Sequence, residues 1–335
     1  MKLKTAKATL LPAAKFKECK MKEPTVSVSE PCGIVVVDKP AGVTSHDVVN
    51  IMRRTYGTRR VGHAGTLDPM ATGVLIVLVG RAVKVSEHIM SGKKRYSATL
   101  RLGVETDTED ITGTVVAEYK EKLPSFDEVQ DACRAFLGEY MQTPPMYSAL
   151  KRGGQKLVDL ARRGVEVERT PRPVYIYSIS AECTERPDEY KIDVFCSSGT
   201  YVRTLCADIG RRLGCGGCMS SLRRTGVGSF DVSDAKTLDE IASDPAAALL
   251  PTEAAFTSLP RVSVSPDAER KIRNGVAVWV ESSEVSIDRS NTTLSNNDNN
   301  GGSGELVCLY NEAGAFFALG EIKRDKIKLK KLIIL

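Results

Sequence analysis

One carboxylate stands out for its setting. Asp68 lies in the string Arg60-Val61-Gly62-His63-Ala64-Gly65-Thr66-Leu67-Asp68-Pro69-Met70-Ala71-Thr72-Gly73-Val74-Leu75, just ahead of the apolar run Val74-Leu75-Ile76-Val77-Leu78-Val79. Gly62, Gly65 and Gly73 open backbone angles closed to other residues and leave room for a ligand to come close. Pro69 biases the residue before it toward extended geometry and keeps a helix from starting there. A carboxylate on a shaped loop beside a rigid strand is a common way to hold a reactive group. Asp68-Pro69 by itself is equally ordinary turn chemistry.

The whole string resembles the motif of the TruB-type tRNA pseudouridine synthases, in which the aspartate at this position is catalytic. Four further segments resemble the family's other motifs at the expected distances. They are Val37-Asp38-Lys39-Pro40-Ala41-Gly42-Val43-Thr44-Ser45, Lys94-Arg95-Tyr96, Ser198-Gly199-Thr200-Tyr201-Val202-Arg203-Thr204 and Leu222-Arg223-Arg224-Thr225. Together they span about the length of one large domain. The resemblance implies that uridine becomes pseudouridine: the N-glycosidic bond breaks, the base turns over, and carbon 5 joins carbon 1′. Nothing is oxidised and no outside group is transferred, so no cofactor is expected. The implied partner is the T arm of tRNA, with its loop uridine, conventionally position 55, turned out of the stack.

The resemblance also assigns roles. Asp68 attacks the sugar or removes a proton from it. Arg203 pairs with Asp68; a guanidinium within a few ångströms lowers a carboxylate pKa by roughly 1–3 units, and its planar fork suits both carboxylate oxygens. A cation in the first turn of a helix is otherwise disfavoured, which gives Arg203 a special reason to be there. Tyr96 stacks on the target base, a contact of roughly 1–3 kcal/mol, and its hydroxyl is a candidate aid to proton removal from carbon 5. Leu222 forms an apolar wall, Tyr201 packs against the site, and Gly65 lets the backbone approach the substrate. His63 braces the RNA with the base flipped, a state that costs a few kcal/mol. Lys39-Pro40 shapes the cleft floor or touches phosphate. The glycine-bearing basic loop Lys151-Arg152-Gly153-Gly154-Gln155-Lys156 is suited to follow an RNA backbone, because neutralised phosphates release counterions; by charge alone a solvated loop fits equally.

Composition excludes more than it identifies. The chain of 335 residues is 42% hydrophobic and 27% charged, the balance of an ordinary soluble globular protein. No apolar run nears the roughly 20 residues needed to cross a bilayer, and the N-terminus lacks the apolar block of a secretion signal. Nine scattered cysteines, an odd number in so long a chain, indicate a reducing compartment and hence the cytoplasm. An organellar address would favour arginine and serine, whereas this N-terminus uses lysine. Three histidines without ligand spacing and the lone pair Cys215-Gly216-Gly217-Cys218 suggest no metal site. Residues 1–30 hold seven lysines against three glutamates, and residues 323–331 six basic residues against Asp325. These two segments together exceed the formal charge of +5 and leave the body net negative, so any RNA surface must be a local patch.

The elements that must position these residues follow from periodicity. Residues 33–37, 74–79 and 95–102 read as strands, with 174–181 and 190–196 as a pair. Helices are expected after Thr44 and Asp47, from the capping box Ser125–Glu128 toward Phe136, over 156–163, over 200–213 between a Thr200 cap and Gly214, and after Thr237. Strands and helices do not alternate one for one, so the expected class is α+β. The resemblance implies a large mixed, mostly antiparallel sheet flanked by helices. The expected organisation is a flexible lysine-rich tail (1–30), a catalytic domain (31–258) and a small β-rich, PUA-like RNA-binding module (259–335) with strands near 261–265, 306–309 and 315–319. A disordered Asn/Ser/Gly insert is expected at 290–304. A monomer without an obligate protein partner and without membrane attachment is expected. The rival readings are a guide-RNA-dependent synthase of the dyskerin type and a non-catalytic tRNA-folding chaperone.

Overall fold

The computed structural model describes residues 30–119, 123–148, 150–290 and 304–333. Apart from Glu30, Ser290 and Gly304, the expected tail and the expected insert lie outside the described residues.

A nine-stranded sheet forms the body. Along it lie Gly33–Lys39, Thr72–Val79, Gly217–Val227, Lys94–Leu102, Glu189–Cys196, Arg172–Cys183 and Gly138–Gln142, with Val61–His63 beside the second and Phe230–Asp231 beside the third. Among the described residues the one parallel pairing between strands of this sheet joins Arg223 and Arg224 to Thr72 and Gly73. The expected mixed, mostly antiparallel sheet is therefore what the chain forms. The strands Gly33–Lys39 and Thr72–Val79 are buried on both faces, which explains their unbroken apolar runs. Lys94–Leu102 alternates buried and half-buried residues, so Tyr96, Ala98 and Leu100 face the core while Arg95, Ser97 and Thr99 face away.

Helices cover the core face. Ser45–Thr55, Phe126–Arg134 and Val202–Leu213 bury Val48, Met52, Val129, Leu205 and Ile209 against the sheet. Capping boxes form at Thr44/Asp47, Ser125/Glu128 and Thr237/Glu240, where the sequence patterns place them. Two expectations need correction. The helix expected over 156–163 shrinks to Leu157–Ala161, because Gln155–Lys156 turns back onto Lys151–Arg152 and makes the basic loop a hairpin. Thr200 does not cap Val202–Leu213: its hydroxyl donates to the Ser197 carbonyl, and Tyr201 holds the cap position. Gly214, at φ 74°, closes that helix in the left-handed conformation as expected.

The C-terminal segment builds a six-stranded sheet: Val278–Trp279, Lys326–Leu332, Phe316–Lys323, Glu305–Tyr310, Arg261–Val264 and Val285–Asp288 in spatial order. The helix Pro266–Arg273, capped by Ser265, packs Ala268 and Ile272 onto it. One side of this sheet joins the body. Phe256, Cys308, Tyr310, Phe316 and Leu319 share a cluster with Ile34, Val36, Val74, Ile76 and Leu78, covering part of the face that the helices leave open. Among the described residues no helix is long and apolar enough to cross a membrane.

Candidate active site

The loop that carries Asp68 is tied down at nearly every residue. Ala64 N–H donates to Ile76 O at 2.9 Å, and Gly42 N–H donates to Pro69 O at 2.9 Å. The buried Ser45 hydroxyl accepts from Leu67 N–H at 2.9 Å and donates to Leu67 O at 3.0 Å. Ala71 N–H closes a turn onto Asp68 O at 3.1 Å with Pro69 at its second position, where the ring's fixed φ suits the turn. Gly73 is required by packing: at φ 94° a Cβ there would sit 2.3 Å from Arg224 O. Gly65, at φ 101°, turns its carbonyl toward Arg224 Nη2 at 3.1 Å.

Asp68 projects from this frame into a cleft of 290 Å³ between the sheet and the helix Val202–Leu213. Gly65, Tyr96, Tyr201, Arg203 and Leu222 line the same cleft, so the structure brings together six of the eight residues singled out in the sequence. Arg203 Nη2 lies 2.6 Å from Asp68 Oδ2. The contact uses one carboxylate oxygen, not the two-pronged pairing expected. The reason is a second acid: Arg203 Nη1 lies 3.4 Å from Asp110 Oδ2, with both side chains buried. Asp110 is in turn fixed by Thr112, whose N–H and hydroxyl donate to its Oδ1 at 3.0 and 2.5 Å.

Burial pushes the Asp68 carboxyl above its ordinary value, and the Arg203 guanidinium pulls against this without cancelling it. The expectation that the guanidinium would leave this pKa lowered is thus reversed. Desolvation outweighs a one-oxygen contact, and the Asp110 charge adds to the upward push. Burial likewise raises the Tyr96 phenol, with Arg224 opposing. Lys94 also lines the cleft; burial pulls its ammonium down to about 8, and it donates to Met90 O and Gly92 O at 2.7 and 2.8 Å.

Two expected residues stand apart from the lining. Lys39 is fully buried, and its ammonium donates to the carbonyls of Pro40, Val43 and Pro69 at 2.9, 2.8 and 3.3 Å. It cannot touch phosphate; it clamps the first motif to the Asp68 loop from beneath. His63 sits on the short strand Val61–His63 and does not line the cleft. Its Nδ1 is buried without a hydrogen-bond partner among the described residues, and burial with the nearby Arg224 charge lowers its pKa.

Three contributors had no signal in single residues. Asp110 sits in a Thr/Asp-rich turn that reads as solvent-facing. Gln142 is buried in the edge strand, where its amide accepts from Tyr201 N–H at 2.8 Å and donates to Tyr201 O at 3.0 Å, fixing the start of the Arg203 helix. Arg224 is almost fully buried and donates to Val74 O, Gly65 O and Thr66 O at 2.7, 3.1 and 3.4 Å. It lies inside a quoted motif, yet its task of stapling the loop is visible only in three dimensions.

The sequence model of the TruB family pseudouridylate synthase N-terminal domain matches residues 53–202, and that of the tRNA pseudouridylate synthase B C-terminal domain matches residues 203–257. The chain belongs to the TruB family of pseudouridylate synthases. A TruB-family relative from Alkaliphilus oremlandii, named tRNA pseudouridine synthase B, is 42% identical over 306 residues, covering 90% of this chain and 97% of its own. One of the same name from Symbiobacterium thermophilum is 47% identical, covering 75% of this chain and 84% of its own. Among solved structures, a chain of a Cbf5-Nop10-Gar1 complex matches with TM-score 0.67 at 25% identity, covering 90% of this chain and 85% of that one. An archaeal box H/ACA sRNP Nop10-Cbf5 complex matches with TM-score 0.66 at 23% identity, covering 93% and 89%. The boundary between the two TruB models falls within the Ser198–Thr204 motif, just before Arg203, so the cleft is assembled from both.

Proposed function

We propose that this TruB-family protein is a stand-alone tRNA pseudouridine synthase that isomerises the T-loop uridine, position 55. The single observation that carries the reading is the Asp68–Arg203 ion pair opening onto a cleft walled by Tyr96 and Leu222. The flipped uridine enters with its base between Tyr96 and Leu222 and its sugar toward Asp68. Asp68, ionised, attacks carbon 1′ or takes a proton from the sugar, and the bond to N1 breaks. The detached uracil stays in the cleft, turns, and bonds through carbon 5 to carbon 1′ as the Asp68 oxygen leaves that carbon or Asp68 returns the proton to the sugar. Carbon 5 then gives up its proton and N1 gains one, by exchange with solvent. The product has the atoms of the substrate, so no co-reactant enters.

Arg203 holds Asp68 at the sugar, and the bonds from Arg224, Ser45 and Lys39 keep the loop from relaxing. Such preorganisation matters because a misplacement of about 1 Å can cost roughly 100-fold in rate. Relatives named tRNA pseudouridine synthase B at 42–47% identity favour tRNA as substrate over the guide-dependent alternative, whose match to the Cbf5 chains rests on 23–25%. The C-terminal sheet fits the role of a PUA-like RNA-binding module, and the hairpin 151–156 that of a backbone-following arm.

The test uses purified protein alone with an unmodified T-arm transcript, mapping pseudouridine at single-nucleotide resolution. Product at position 55 without guide RNA is the expected result. Product only with a guide RNA would favour the dyskerin-type reading, and RNA refolding without product the chaperone.

A further inference from the structure

A second cleft, of 490 Å³, opens where the sheet's outer face meets the C-terminal sheet. Its walls combine the cationic Lys93 and Arg95 and the titratable His88 with the rings of Phe195, Phe230 and Phe256. Among the described residues that line it there is no aspartate or glutamate. Lys93 is exposed and holds its ammonium 4.3 Å from the Tyr177 ring centroid and 5.9 Å from that of Phe195. Tyr175, Tyr177 and Phe195 form an aromatic row with centroids 4.8 and 5.0 Å apart, and the two tyrosines are 45% and 38% exposed. Arg95 meets Asp231 through Nη2 at 3.0 Å, a half-exposed pair that a phosphate can share.

This cleft and the Asp68 cleft are two sides of one ribbon. Met90, Lys94 and Tyr96 line the Asp68 cleft, whereas Ile89, Lys93 and Arg95 line the second. Lys93 thus adjoins Lys94 in sequence and lies three residues before Tyr96, with the ribbon between the two clefts. Flat apolar rings beside Lys93 and the half-exposed Arg95 suit a base and its phosphate. An acidic peptide would satisfy the cations and leave the aromatic row unused. The volume falls in the range of sites that enclose small organic ligands.

We infer that this seam holds a second, unpaired nucleotide of the same RNA, with its phosphate toward Lys93 and Arg95 and its base against the Phe195–Tyr177 row. The inference rests on the reading of the chain as an RNA isomerase and adds a subsite to it.

The experiment places the photo-crosslinker p-benzoylphenylalanine at Ser258, an exposed residue of the cleft wall, in the full chain. The protein is irradiated with the T-arm transcript, the crosslinked nucleotide is mapped, and turnover of the same preparation is measured. A crosslink to one unpaired nucleotide other than the target uridine is expected. Lys93→Glu should raise KM about tenfold, equivalent to roughly 1.4 kcal/mol, with kcat within about twofold. A preparation that converts the RNA yet crosslinks none, crosslinks only duplex nucleotides, or keeps its KM in Lys93→Glu overturns the subsite and leaves the activity standing. A mapped crosslink without pseudouridine formation keeps the subsite and overturns the activity. Saturable binding of AMP or UMP at the seam without an RNA crosslink overturns the RNA assignment in favour of a free nucleotide.

Discussion

Asp110 holds Arg203 from a second nitrogen, its Oδ2 3.4 Å from Nη1 while Asp68 Oδ2 lies 2.6 Å from Nη2. One cation thus serves two carboxylates: Asp68 lines the cleft and is partly exposed, while Asp110 is buried outside its lining. The arrangement answers why an arginine occupies the first turn of a helix, where the dipole disfavours it. Two acids offset the local field, and the Gln142 clamp on Tyr201 fixes the turn that carries it. Removing one partner of a buried pair costs about 3–5 kcal/mol, because the charge left behind is uncompensated. Arg203 is therefore locked by Asp110, and Asp68 is aimed by Arg203.

Asp68→Asn should abolish turnover and leave RNA affinity nearly unchanged, since the amide keeps the size of the carboxylate and its oxygen still accepts from Arg203. Single-turnover assays and filter binding measure the two quantities. Retention of a tenth of the rate would mean that the carboxylate is misassigned, because only about 1.4 kcal/mol of barrier would then be involved.

Asp110→Asn should slow turnover about 100-fold with KM little changed, the cost expected when a reacting group drifts by roughly 1 Å. Asp110→Ala should in addition destabilise the fold by about 3–5 kcal/mol in urea unfolding. A fully active Asp110→Asn enzyme would show that Arg203 needs no support from Asp110.

These relations mark the limit of what the sequence makes legible. Asp68 could be placed from the sequence because it sits in a long, specific string, and Tyr96, Arg203 and Leu222 because their shorter segments lie at the family's distances from it. Asp110 could not, because its turn, rich in threonine and aspartate, has the composition of a solvated loop, and the arginine that buries it lies on a distant helix. For Lys39 the sequence left two roles open, the cleft floor or a phosphate contact, and burial selects the first: three carbonyls converge on its ammonium and allow it to be fully buried. The last strand, Lys326–Leu332, reads as a run of charge. Its alternation buries Ile327 and half-buries Leu329 while the lysines face outward, a period-two signal that net charge hides.

The rate should fall as pH drops through the Asp68 pKa, and burial places this acidic limb above the ordinary value of 3.8. Arg203→Gln removes the influence that lowers this pKa, so the limb of the residual activity should move to still higher pH. The stability sign is opposite to that of a salt-bridged surface acid. Between 3.8 and the raised value the folded state binds more protons than the unfolded one, so Asp68's contribution falls as pH rises through this window. Urea unfolding of wild type against Asp68→Asn across that range should show the difference; identical pH slopes would contradict it.

Lys94 supplies the opposite case on the basic side. Its ammonium titrates near 8 in the folded chain against 10.5 for a free lysine, because burial disfavours the charge. Between these values the unfolded state binds more protons, so stability from this group rises with pH, with a slope approaching about 1.4 kcal/mol per pH unit. Lys94→Met should erase that slope in urea unfolding between pH 8 and 10.5. The same variant should loosen the turn that Lys94 ties through Met90 O and Gly92 O, which forms the ribbon between the two clefts. Turnover should therefore drop even at pH 7, where wild-type Lys94 is still charged. A variant with the wild-type pH slope would show that the Lys94 ammonium is solvated in the folded protein.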